Sequence, residues 1–463
     1  MRRPVLGACL GIGALAASGC AAREHIALPA AGALPAVRQL DLPAVELSAR
    51  SRATDPRLGN PVVDLSDGVG PQEAAALALT DNPDILAARL TRDKLVASLV
   101  GARLISNPAV AGGPSFPHGQ GSAGTVPAWS GALEWTIRPG MRRARVREAR
   151  AELDATDLSI AWSEWQLIQA TREAIIRWWA ARRALELIDD ELAFQAETLD
   201  RLQHEVDTGD ATLPDMGVHV VAQHGTRTLR ADIDRQRIEA RDSALYLAGL
   251  PAHADLQPAS LGDAALSWPP LPDEADAVRT ALDSRVDLSG LRRGFDAEDA
   301  RLRQALLSRI PAITVGLTAD RNESALSFLG GTVALDLPLF DHAQAQVSRE
   351  QATKARLRAE FLARVENLRH DVNRLQSIDA QLGRALIDAQ QDLDQLARLE
   401  DAERAAVQAG DLARLTWQEV RASLLDVRLQ IVSLTSERLT TRVAIETILG
   451  APAGTLVPPS TTR

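Results

Sequence analysis

The sequence predicts a mainly α fold with a small β part, in which a duplicated unit supplies very long coiled-coil helices. Three observations carry this prediction. First, residues 71–250 and 273–450 pass through similar short segments in one order, about 200 residues apart. Asn107-Pro108 aligns with Ile310-Pro311, Ala132-Leu133-Glu134-Trp135 with Ala334-Leu335-Asp336-Leu337, and Val206-Asp207-Thr208-Gly209-Asp210 with Val407-Gln408-Ala409-Gly410-Asp411. Second, aromatic residues make up only 3% of the 463, while Ala, Leu, Arg, Glu and Gln dominate, a mix typical of long helices. Third, two apolar stripes advance by alternating steps of three and four, as a coiled-coil seam requires. They are Leu185, Ile188, Leu192, Leu199, Leu202, Val206 and Phe361, Leu368, Val372, Leu375, Leu382, Leu386, with Gln195 filling the missing place in the first.

The elements follow in order. Residues 1–19 read as an export signal, with Arg2 and Arg3 before the short apolar run Val5 to Ala17. Residues 20–70, rich in Ala, Pro, Leu and Ser, read as an extended segment on the surface. The first repeat opens with helix from Pro71, punctuated by Asn82-Pro83-Asp84. A strand pair over 107–138, a long helix over 142–207 and a return helix over 216–249 follow. The proline-rich stretch 251–272 links the halves. The second repeat has a helix, a strand pair over 311–339, a long helix over 343–408 and a return helix over 412–449, before a tail at 451–463. A helix of about 65 residues is on the order of 100 Å long. No globular core needs that length, but a tube crossing an aqueous compartment does. Each long helix ends at Gly-Asp, since glycine takes the left-handed conformation at a helix terminus.

The strand segments alternate with period two. Trp129, Leu133, Trp135 and Ile137 alternate with Ser130, Glu134, Thr136 and Arg138; Ile313, Val315, Leu317 and Ala319 alternate with Thr314, Gly316, Thr318 and Asp320. In the fourth strand Leu329, Val333, Leu335, Leu337 and Leu339 form one row. Strands of about 9 to 12 residues suit a transmembrane barrel, and a soluble sandwich face alternates in the same way. No apolar stretch of 18 or more residues follows the N-terminus, so a membrane span has to be made of strands. Two strand pairs cannot close a barrel alone, and open edges do not survive in lipid, so closure needs further copies of the chain.

Net charge is −10, and about −12 once Arg2 and Arg3 leave with the signal, which argues against a nucleic-acid partner. Ala17-Ser18-Gly19-Cys20 resembles a bacterial lipobox, in which Cys20 would carry acyl chains such as palmitate; Ala17 stands where leucine is usual. The alternative is cleavage near Gly19 with Cys20 left as a thiol. Leu6-Gly7-Ala8-Cys9 fits the pattern better but leaves too short an apolar run before it. The eight histidines are scattered, and no His-Glu-x-x-His, Cys-x-x-Cys or phosphate loop occurs, so the sequence predicts no catalytic residue, metal site or cofactor. Trp162, Trp165, Trp178 and Trp179 on the first long helix read as packing residues. Arg142, Arg143, Arg145 and Arg147 suit either phosphate-rich headgroups or a solvated face.

The layout resembles the TolC-type outer-membrane efflux family over residues 71–450. Asn82-Pro83-Asp84-Ile85-Leu86-Ala87-Ala88-Arg89 is similar to that family's first-helix opening, Leu337-Pro338-Leu339-Phe340-Asp341 to its strand-to-helix exit, and the two Gly-Asp turns to its periplasmic tips. The resemblance implies a homotrimer with a 12-stranded outer-membrane barrel, four strands from each chain, above a periplasmic helical tube. It also implies a lipid-anchored exit duct docked to a periplasmic adaptor and an inner-membrane pump. Gly209, Asp210, Gly410 and Asp411 would then be docking tips. Asp215, Thr416 and Glu419 would line the closed end, although the family often has Asp at the Thr416 place, and Leu412 stands at its hinge arginine. Residues 311–340 resemble members serving heavy-metal pumps. A lipidated periplasmic adaptor is the alternative; it should have one hairpin, and this chain has two. A purely structural coiled coil would leave the strand alternation unexplained.

Overall fold

The computed structural model describes residues 46–47, 50–51, 55–58, 64–66, 68–118, 124–261, 271–409 and 414–451. All the described residues belong to one compact unit, Asp41–Arg463. Residues 1–19, expected to be an export signal, and Cys20, Gly410 and Asp411 lie outside the described residues.

Each half begins with two helices that meet end to end. In the first, α1 (Pro71–Asp81) and α2 (Pro83–Arg103) join at Asn82, whose side chain caps α2 by accepting from the amides of Asp84 and Ile85. Strands β1 (Ala109–Ser115) and β2 (Ala128–Ile137) follow, then the long helix α3 (Met141–Thr208) and its return α4 (Leu213–Leu247). The second half repeats the order: α5 (Glu274–Ser284), α6 (Val286–Leu307), β3 (Ala312–Arg321), β4 (Ser327–Asp336), α7 (Gln344–Ala409) and α8 (Arg414–Leu449). The fourth strand ends at Asp336, earlier than the alternation of Leu337 and Leu339 suggests. Pro338 has no amide hydrogen to extend a ladder, and the Leu339 amide turns back to the Leu337 carbonyl at 2.8 Å. The return helix α4 begins at Leu213 rather than 216, because Thr212 and Asp215 form a capping box ahead of the apolar periodicity.

The same joint closes both halves. Gly249, at φ +71°, ends the first return helix so near Asp81 that an added Cβ would lie 2.5 Å from its carbonyl carbon. Gly450, also at φ +71°, approaches Arg285 between α5 and α6, and a Cβ there would lie 2.9 Å from its Cα. Asn82 Nδ2 donates to the Leu247 carbonyl at 3.1 Å, and Arg285 Nη1 to the Ile448 carbonyl at 3.3 Å.

Packing is helix on helix. The unbroken run Ala74 to Leu79 of α1 is buried where that helix packs on α3. Ala277 and Ala281 of α5 pack with Leu368, Val372 and Leu375 of α7 and Ile445 and Leu449 of α8. Ile176 of α3 meets Leu439 and Val443 of α8. Trp165 and Trp178 are buried, and the Trp165 indole donates to the Thr447 carbonyl at 3.3 Å. Among the described residues no helix is long and apolar enough to cross a membrane.

Candidate functional site

The four strands form one antiparallel sheet in the order β1-β2-β3-β4. β2 and β3 bring the halves together in the register Leu133↔Leu317, Trp135↔Val315 and Ile137↔Ile313. β4 places Val333 beside Val315 and Leu335 beside Ile313, while β1 places Val110 beside Leu133. Directly paired residues share a face, so these side chains make one continuous apolar surface. Among the described residues no helix packs extensively on it, and it is open: Leu329 is 84% exposed, Val110 74% and Val333 72%. The opposite face carries Ser130, Glu134, Thr136, Thr314, Thr318, Asp320, Thr332 and Asp336, with the Thr136 and Thr314 hydroxyls 2.9 Å apart. Among the described residues, the outer edges of β1 and β4 have no strand partner.

At the far end, α3 turns into α4 through Gly209. Its φ of 89° lets the Asp210 amide reach the Glu205 carbonyl at 2.8 Å and its own amide reach Val206 at 3.2 Å, a Schellman closure. Asp210 and Gly209 are exposed, and the Asp210 carboxylate accepts from the Thr208 hydroxyl at 2.8 Å. Asp215 is also exposed. Its carboxylate accepts from the Thr212 hydroxyl at 2.5 Å and the Thr212 amide at 3.0 Å, and these bonds hold it below the usual carboxylate range. Glu419 is exposed on α8; Thr416 lies in the first turn of that helix, its side chain outside the described ones.

The structure adds a cluster that the sequence reading missed. Arg421 of α8 donates to Glu191 of α3 at 2.9 Å, lies 3.6 Å from Glu400 of α7, and sits 3.7 Å over the ring of Phe194. Trp417 meets Phe194 edge-on at 5.1 Å and donates through its indole to Glu400 at 3.1 Å. Arg404 pairs with Glu400, and Gln195 joins Glu191 to Thr226 of α4 at 3.1 Å each. Burial alone would raise the Glu400 carboxyl. Hydrogen bonds from Arg404 and Trp417, with the charges of Arg404 and Arg421, outweigh it and hold the group low. One clasp therefore ties all four long helices together above the tips. Among the described residues no group of acidic, histidine or cysteine side chains could hold a metal ion.

No protein-family model matches the sequence, and no curated protein resembles it at the level of sequence. The fold has clear counterparts. CusC superposes with a TM-score of 0.69 at 16% identity, covering 87% of this chain and 97% of its own. The outer membrane protein VceC from Vibrio cholerae gives 0.67 at 15% identity, covering 82% and 96%. The CmeC outer membrane channel from Campylobacter jejuni gives 0.71 at 11% identity, covering 86% and 91%. The chain has the fold of these channels: a mainly helical tube wall with a small four-stranded antiparallel sheet.

Proposed function

We propose that the chain is an outer-membrane exit duct of a tripartite efflux system, a passive conduit rather than an enzyme, working as a homotrimer. The apolar sheet face with its two open edges carries the reading. A ten-residue strand at about 3.3 Å per residue and tilted by about 45° spans roughly 23 Å, close to the height of an outer-membrane barrel's apolar band. Trp129 and Trp135 lie toward opposite ends of that face, as aromatic girdles do. Three copies joined β1 to β4 would leave no edge open to lipid. The likeness to outer-membrane channels over most of the chain supports this reading over a single-hairpin adaptor.

In this reading Gly209, Asp210, Gly410 and Asp411 are the periplasmic tips that meet an adaptor fed by an inner-membrane pump. Asp215 and Glu419, with Thr416, line the narrow end; threefold symmetry makes each carboxylate a ring that favours cations. Replacing Asp215 and Glu419 together by Asn and Gln should lower cation selectivity in planar bilayers. Cys20 is the anchoring lipid's attachment point, and mass spectrometry of the mature N-terminus should find it acylated.

The deciding experiment is fractionation of expressing cells followed by cross-linking in mild detergent. Three chains per particle in the outer membrane are expected. A stable, lipid-free monomer with full native helix and strand content would overturn the proposal.

A further inference from the structure

We propose that the membrane-proximal end of α3 is a binding surface for anionic phospholipid headgroups, an inference that rests on the membrane reading of the sheet. Between Arg138 and Arg150 the chain carries six arginines and a single carboxylate, Glu148, in a protein whose net charge is −10. Arg138, Arg142, Arg143, Arg145, Arg147 and Arg150 are all exposed. Glu148 is already held by Arg301 of α6 at 3.0 Å. Among the described residues none of the six makes an ion pair, whereas exposed arginines elsewhere on the long helices commonly do. Arg177, Arg183, Arg201, Arg235, Arg356, Arg369 and Arg374 each meet a carboxylate three or four residues away. The helical surface is thus self-neutralised along its length and cationic at one end.

That end adjoins the apolar band. Arg138 directly follows Ile137, the last residue of β2, and Arg142 is the second residue of α3, its Nε donating to the Arg103 carbonyl at 2.8 Å. Arg143 and Arg147 are one turn apart on one helix face. With a rise of about 1.5 Å per residue, Arg147 lies roughly 9 Å along α3 from Met141, its first residue, comparable with the depth of a headgroup layer plus the reach of an arginine. Guanidinium groups take phosphate oxygens in paired hydrogen bonds. Phosphate diesters of the lipid leaflet supply the missing counter-charge.

The test uses the full chain reconstituted in nanodiscs of phosphatidylcholine alone or mixed with phosphatidylglycerol, with thermal stability and lipids retained in native mass spectrometry as readouts. The wild type should gain stability and retain phosphatidylglycerol, an effect weakening with salt. Arg143→Gln with Arg147→Gln should weaken that retention by about fivefold per charge removed. The double lysine variant should keep most of it, and Arg369→Gln with Arg374→Gln should change nothing. Equal phosphatidylglycerol dependence in the glutamine variant and wild type would overturn the proposal. So would an effect reproduced by free glycerol phosphate, or a variant that changes only ion selectivity or only trimer yield. Failure to insert into either disc would instead count against the membrane reading itself.

Discussion

Arg421 and Glu191 join the two helical hairpins of one chain by a 2.9 Å ion pair in which the carboxylate is buried, with only 4% of the residue exposed. Removing one partner leaves a charge in a site built for two. Arg421→Ala should cost about 3–5 kcal/mol of stability, read as a lowered midpoint in chemical denaturation. Glu191→Gln with Arg421→Met should cost much less, since neither charge is then stranded. A single arginine variant as stable as wild type would show the clasp to be ornamental.

The closing glycines give a graded series. Gly249→Ala has both an unfavourable left-handed backbone and a Cβ 2.5 Å from the Asp81 backbone. It should lose more than the ~1–2 kcal/mol of the conformation alone. Gly450→Ala should behave alike. Gly209→Ala, at φ 89° with nothing within 4 Å, should pay only the conformational part. Urea titration of the three proteins ranks them.

The pair Glu298 and Glu350 sets a pH response. Glu298 is buried and its Oε2 accepts from Arg301 at 3.1 Å. A hydrogen bond to Glu298 raises the Glu350 carboxyl most, aided by burial and the Glu298 charge and opposed by Arg301 and Arg349; Glu148 and Glu152 of α3 share Arg301. The folded state therefore binds this proton more tightly than the unfolded chain. Its contribution is complete below the unfolded pKa and is lost as pH rises through the folded one. Glu350→Gln should flatten that part of the melting-temperature profile and raise stability at neutral pH. An unchanged slope would refute the raised Glu350 carboxyl.

The two sheet faces make opposite demands. Val333→Arg, near mid-strand on the apolar face, should cost about 2–4 kcal/mol of membrane insertion. Thr332→Arg, one residue earlier on the polar face, should be tolerated. Partition of the refolded proteins between vesicles and urea separates them, and equal behaviour would reverse the face assignment.

Much of this architecture was legible because period alone fixes it. Leu368, Val372, Leu375, Leu382 and Leu386 recur at heptad spacing and are all buried, and the strand alternation foretold one exposed apolar face. The clasp was not legible, because Glu191, Arg421 and Glu400 meet only through tertiary packing across 230 residues of chain. A trace of it was present. Gln195 interrupts the first apolar stripe and Asp379 sits in the gap between Leu375 and Leu382 of the second; both are buried and bonded, Asp379 to Arg442 at 2.8 Å. A polar residue on a coiled-coil seam commonly marks a register-setting partner.

The duplicated joint has one further result. In the first half the junction of paired helices is sealed by Asn82, a neutral amide. In the second it is sealed by Arg285, which also pairs with Asp287 at 2.8 Å, and Asp287 in turn meets Arg364 at 3.2 Å. Burial would raise the Asp287 carboxyl, but Arg285, the Leu288 amide and Arg364 hold it low, so the stability it lends is lost as pH falls through its folded pKa. Of the two closing junctions, the seal at Asn82 is made by an uncharged amide, whereas the second carries a carboxylate whose stabilising contribution is withdrawn by acid.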